Sequence, residues 1–208
     1  MIYRFLLCFL FIFTGAKASD YDACYEATYD ASKVRDLMGA LAGKSQLEPD
    51  EHELACQCSY VLGDYQAAYA YAQYGIEQHG NLFFLHQCGG MALYRLGELE
   101  EALSNFDFAI RNDLGDHQSV IYLSKILWDQ GRQKESESTL RGYLDYLSSV
   151  MPAPLPEVSR YSLAEVELYI ALHGMLLSAG RYVEAKDLLD EALSRNNLST
   201  ELKELVSD

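Results

Sequence analysis

Gly63, Gly97 and Gly131 follow one another at thirty-four-residue steps, and Gly180 comes after a longer gap. Small residues keep register with them. Seven residues before the glycines stand Cys56, Gly90, Ser124 and His173, five after them Ala68, Ala102, Ser136 and Ala185, and twelve after them Gly75, Ala109, Tyr143 and Ala192. Only His173 and Tyr143 are large. A period of this length marks a stack of supersecondary units, each too small to bury its own apolar face.

The unit reads as a helix, a tight turn at the glycine and a second helix running back. Around Gly97, Leu93 and Leu96 precede the turn; Leu99, Ala102, Leu103, Phe106, Ala109 and Ile110 follow at three- and four-residue steps, one apolar stripe. Glycine suits a first helix that ends in a left-handed residue. Small residues let paired helix axes approach to the short end of the usual range, about 8–10 Å. Contacts between helices thus constrain a few positions, and the exposed remainder varies.

With "LGDYQAA", "LGELEEA", "QGRQKES" and "AGRYVEA" as its turns, the chain resembles the tetratricopeptide repeat family over roughly Asp50 to Asn197. The resemblance implies an all-α, right-handed solenoid of helical hairpins, about four of them, with N- and C-terminal capping helices. Two features depart from the family pattern. The closing proline is replaced by His79-Gly80-Asn81 and Asp113-Leu114-Gly115, and the third unit has Ser136 and Tyr143 in place of alanines, which predicts irregular packing there.

The flanks are also helical in pattern. Val34, Leu37, Met38 and Leu41 form a stripe before Gly43, and Ala23, Ala27 and Ala31 alternate with Tyr21, Tyr25 and Tyr29. Leu198, Leu202 and Leu205 make a C-terminal cap with Glu201, Lys203 and Glu204 outside. Between the third and fourth units, "SSVMPAPLPEVSR" holds three of the four prolines. Proline in a helix interior costs about 3 kcal/mol, so this stretch is read as a stiff spacer or a docking loop. Ser162 and Glu165 have capping-box spacing and restart a helix. The expected organisation is an export signal over 1–18, a helix or half-repeat over 19–48, three repeats over 49–145, the proline-rich connection over 146–161, and a fourth repeat with its cap over 162–208.

The export signal rests on MIYRFLLCFLFIFTGAKA: Arg4 ahead of an apolar run from Phe5 to Phe13, then Ala16-Lys17-Ala18 as a small-x-small cleavage site. The run falls short of the roughly 20 residues of a membrane span. No stable membrane insertion is expected after cleavage, and the location is periplasmic or secreted. Loss of Arg4 and Lys17 leaves 14 basic residues against 31 acidic ones, a formal charge of −17. Such a surface repels phosphates, so nucleic acid is not an expected partner.

The resemblance further implies a groove lined by the first helix of each hairpin, holding a protein or peptide ligand. Its candidate residues are Tyr60, Tyr94 and Trp128, one period apart, with Glu53, Gln57, Gln87, Met91, Ile121 and Lys125 as neighbours. Chaperone-binding members grip a C-terminal carboxylate with lysine, asparagine and arginine. Here Glu53, Gln57, Gln87 and Ile121 occupy the corresponding places, which points to a basic or apolar ligand. The aromatic ladder is equally readable as packing.

Cys24, Cys56, Cys58 and Cys88 remain after cleavage, an even number in a chain sent to an oxidising compartment, so two disulfides are expected. Cys56 and Cys58 lie about 200° apart around one helix and point to opposite sides. They are expected to bond outward, to Cys24 and Cys88, in either pairing. His52 and Cys56 share a helical face, a weak metal pattern better read as a core histidine, and no metal is assigned. No phosphate loop, Cys-x-x-Cys, His-Glu-x-x-His or Gly-x-Ser-x-Gly is present. The chain is therefore read as a non-enzymatic scaffold without a cofactor, acting as an adaptor in envelope assembly or secretion. The alternative is an oligomerising module that self-associates through an end or convex face.

Overall fold

The structure is a computed structural model that describes residues 31–113, 116–150 and 160–195. Among these there are nine helices and no strand. In chain order they are α1 (Ala31–Ala42), α2 (Pro49–Val61), α3 (Tyr65–His79), α4 (Phe83–Leu96), α5 (Leu99–Asn112), α6 (His117–Asp129), α7 (Gln133–Val150), α8 (Arg160–Ser178) and α9 (Tyr182–Arg195). After α1, the glycine turns at 63, 97, 131 and 180 join α2 to α3, α4 to α5, α6 to α7 and α8 to α9 as four hairpins, the helical-hairpin fold expected from the repeat.

The four register glycines do the same job. Gly63, Gly97, Gly131 and Gly180 all have positive φ, between 73° and 86°, where a side chain would be strained. Each closes its helix with the same pair of hydrogen bonds. At Gly97, the Glu98 N–H reaches the Leu93 carbonyl and the Gly97 N–H the Tyr94 carbonyl; Asp64 to Ser59, Arg132 to Leu127 and Arg181 to Leu176 repeat the longer bond. This double closure satisfies carbonyls that a helix end leaves open. Gly80, also at positive φ, ends α3 where the family pattern has proline.

Helix starts are set locally. Glu48 and Glu51 form a reciprocal capping box ahead of α2, with proline in its first turn. Asp64 accepts the Ala67 N–H at the start of α3, and Asp116 accepts the Ser119 N–H at the start of α6. Both restrain donors with no partner inside the helix. Helix α8 begins at Arg160, ahead of Ser162, so the capping box read from Ser162 and Glu165 does not start it. Ser162 lies within the first turn, and Glu165 is buried.

The chain groups into two compact units that divide inside α6, after Tyr122. In the first, α2 packs against α3, α3 against α4 and α4 against α5, with α2 also touching α4. The small positions sit at these contacts. A Cβ on Gly90 would stand 2.8 Å from the Phe106 ring, and one on Gly75 would stand 2.9 Å from both His52 and Leu85. Ala68, Ala102 and Ala109 are fully buried. Helix α1 brings Val34 and Leu41 onto Leu54, Ala55 and Cys58 of α2.

In the second unit, α8 packs against α9 and α7, with Leu168, Tyr169, Leu172 and Leu176 among its fully buried residues. Ser136 is buried at its small position in α7, and its hydroxyl donates to the Ser124 carbonyl of α6 at 2.7 Å. A hydroxyl replaces a methyl there without being left unpartnered, and Tyr143 is likewise buried. The third hairpin therefore closes through a serine. Of the proline-rich connection read over 146–161, residues 146–150 end α7 and 160–161 open α8; 151–159, the tyrosine-alanine stretch up to residue 30 and the C-terminal leucine stripe lie outside the described residues.

Candidate binding face

Helices α2 and α4, with Ile121 at the start of α6, carry the candidate residues of the first unit. On α2, Gln57 donates to Glu53 at 2.9 Å, across one helical turn. Glu53 is buried and Gln57 half-buried. On α4, Gln87 donates to the carboxylate of Asp116, which stands just ahead of α6. Asp116 is buried, and burial pushes its carboxyl above the usual range against the pull of Ser119 and Gln87. One of its oxygens, Oδ2, has no hydrogen-bond partner among the described residues. Met91 is half-buried and Ile121 is buried.

Tyr60 and Tyr94 meet through a residue that the sequence reading did not single out. The Tyr60 hydroxyl lies 3.2 Å from that of Tyr122, and the Tyr94 ring stands edge-on to Tyr122 with centroids 5.3 Å apart. Tyr122 is also stacked on Phe106, at 5.4 Å and 12°. Its phenol is pushed above the usual range, chiefly by burial and by the neighbouring Tyr60. No periodic signal marks it: nine residues before the three glycines stand Leu54, Cys88 and Tyr122. Arg95 completes the cluster, its guanidinium 4.6 Å from the Tyr65 ring centroid and 5.9 Å from that of Tyr60, within cation–π range. Tyr60 and Tyr94 thus serve inter-helix packing.

Trp128 and Lys125 belong to the second unit; Trp128 is half-buried and Lys125 exposed. Asp116 was missed although a signal existed: it stands fifteen residues before Gly131, as Glu48 stands before Gly63, and both acids cap a first helix.

Cys56 is bonded to Cys88, joining α2 to α4 with Cα atoms 6.4 Å apart. The bridge is buried among Ala68, Ala72 and Ala92. Cys58 faces the other way, into the cluster with Val34 and Leu41. It too is disulfide-bonded, and its partner lies outside the described residues. Among the described residues no three His, Cys, Asp or Glu side chains are placed to hold a metal ion, and no helix is long and apolar enough to cross a membrane.

No protein-family model matches the sequence, and no curated protein matches it. Among solved structures, a tetratricopeptide repeat protein from Parabacteroides merdae is similar over 88% of this chain and 83% of its own, at 12% identity and a TM-score of 0.49.

Proposed function

We propose that this chain is a non-catalytic interaction scaffold that holds a peptide or helix against the first helices of its hairpins. Repeated hairpins of this kind form protein-interaction modules, and the finer assignment here rests on one observation. Tight packing alone would favour apolar residues on α2 and α4, yet Glu53 pairs with Gln57 along α2 and Gln87 of α4 pairs with Asp116 ahead of α6, on the same two helices that carry Tyr60 and Tyr94. Such groups fix the orientation of a ligand, while the aromatic border supplies contact area.

The buried acids at this face favour a ligand with basic or apolar side chains. The two disulfide-bonded positions on α2, with the apolar leader ahead of Ser19, support an exported protein acting in a cell envelope or outside it. Self-association is the second reading, favoured by Tyr182 and Val183 of α9, which are 68% and 74% exposed.

The test is affinity capture with the oxidised mature chain, run beside a Gln57→Ala, Met91→Ala double variant of matched thermal stability. These two residues are half-buried and stand outside the aromatic cluster. A partner retained by the parent and lost by the variant places binding on this face. Equal recovery from both rejects the face, and capture of the chain's own copies alone favours the self-association reading.

A further inference from the structure

His52 is 1% exposed, and neither ring nitrogen has a hydrogen-bond partner. Imidazole in a protein core ordinarily gives its N–H to a carbonyl or carboxylate, because an unpaired buried polar group is costly. The position thirty-four residues on makes the contrast. His86 has Nδ1 2.9 Å from Asn105 Oδ1 and Nε2 3.3 Å from Asn81 Oδ1.

The surroundings of His52 come from three elements. From α3, the Tyr74 ring stands 5.5 Å away and the His79 ring 5.4 Å away, centroid to centroid. Gly75 passes so close that a Cβ there would touch the His52 side chain, and Leu85 of α4 reaches the same spot. His79 is anchored with its Nε2 2.9 Å from the Leu47 carbonyl; since a carbonyl only accepts, that nitrogen carries the proton. On its own helix, His52 follows Glu51, whose carboxylate is already engaged by Lys44.

We propose that His52 is an acid-sensitive latch: a proton taken up by its buried ring loosens the hairpin of α2 and α3. A charged ring there has no acceptor in hydrogen-bonding position among the described residues, and the neighbouring His79 ring disfavours its charge. Burial, then His79, hold the ring below the ordinary histidine range. The Tyr71 backbone, near the ring but outside hydrogen-bond geometry, and Glu51 favour the charged form but count for less.

The sign follows. The unfolded chain takes up this proton near pH 6.5, whereas the folded chain resists it. Above that pH the group is neutral in both states and makes stability no function of pH. As pH falls below it, the unfolded state gains a proton that the folded state must refuse, and stability is lost. The ring sits between α2 and α3, so the loss is local to that pair before it is global.

The experiment is hydrogen exchange by mass spectrometry on the oxidised mature chain at pH 7.5 and pH 5.5, corrected for the intrinsic pH dependence, beside His52→Met and His79→Gln. In the parent, peptides from α2 and α3 should lose protection at pH 5.5 by several-fold more than peptides from α8 and α9. His52→Met should remove that excess loss, and His79→Gln should reduce it. Uniform loss over all helices, or an equal excess in His52→Met, overturns the proposal. If His52→Met does not fold, imidazole resonances of the parent decide: His52 must stay neutral below pH 6.5 until α2 and α3 open. A ring that titrates near pH 6.5 with the amide spectrum unchanged overturns the latch.

Discussion

At position 90 the difference between a hydrogen and a methyl decides how closely α4 can approach α5. A Gly90→Ala change drives a Cβ to 2.8 Å from the Phe106 ring, and Phe106 is itself fully buried and stacked on Tyr122. The ring has little room to give, so overpacking is expected to cost about 1–3 kcal/mol, outweighing the better helix propensity of alanine, about 1 kcal/mol. A urea titration should show an earlier midpoint at unchanged slope. Gly89→Ala is the control: its Cβ would meet Ala72 at 3.2 Å, with Asn105 and the Tyr69 ring at ordinary contact, 3.8 Å, so its penalty should be smaller. Glycine was legible at position 90 from its repeat register, but the atom it makes room for was not. Nothing in the spacing of residues says that Phe106 and Tyr122 lie face to face.

At the scale of elements, turns and helix order were readable because each answers to a rule that acts over a few residues. A left-handed residue at a helix end calls for glycine, and the four register glycines supply it. Lateral contacts between helices obey no such local rule. Tyr122 and Arg95 matter through neighbours many residues away, so they carry no period of their own. The start of α8 was misplaced for a related reason: a capping-box spacing is common inside helices, and Ser162 falls in one. The turn between α8 and α9 offers a test of lateral contact. Arg181 grips Glu184 in the first turn of α9 and Glu137 on α7. These charges are partly exposed, so solvent and salt screen them. Arg181→Gln should lower the melting temperature modestly at low ionic strength, and the difference from the parent should shrink toward zero in about 1 M salt.

For the molecule as a whole, the covalent link matters more than any single contact. The sequence told that Cys56 and Cys58 point to opposite sides of α2 but not which neighbour lies on which side; packing resolves this, with Cys88 of α4 facing Cys56. Replacing Cys56 and Cys88 by alanine should cost about 2–4 kcal/mol through the freed unfolded chain, read from chemical denaturation at equal temperature. Both sulfurs are buried, so thiol reagents should reach them only when the first unit opens. Labelling after dithiothreitol should therefore stay near zero in buffer and rise along the unfolding curve. Fast reduction of the native chain would contradict the buried placement.

The same bridge alters what happens when the chain is pulled. Cys56 and Cys88 are 32 residues apart and enclose all of α3. Tension applied at the two ends passes through the sulfurs and bypasses the enclosed segment, which stays slack even after the helices around it have come apart. At about 3.4 Å per residue, roughly 110 Å of contour is withheld from extension for as long as the bond is intact. The disulfide thus sets an upper limit on how far the first unit can lengthen under load.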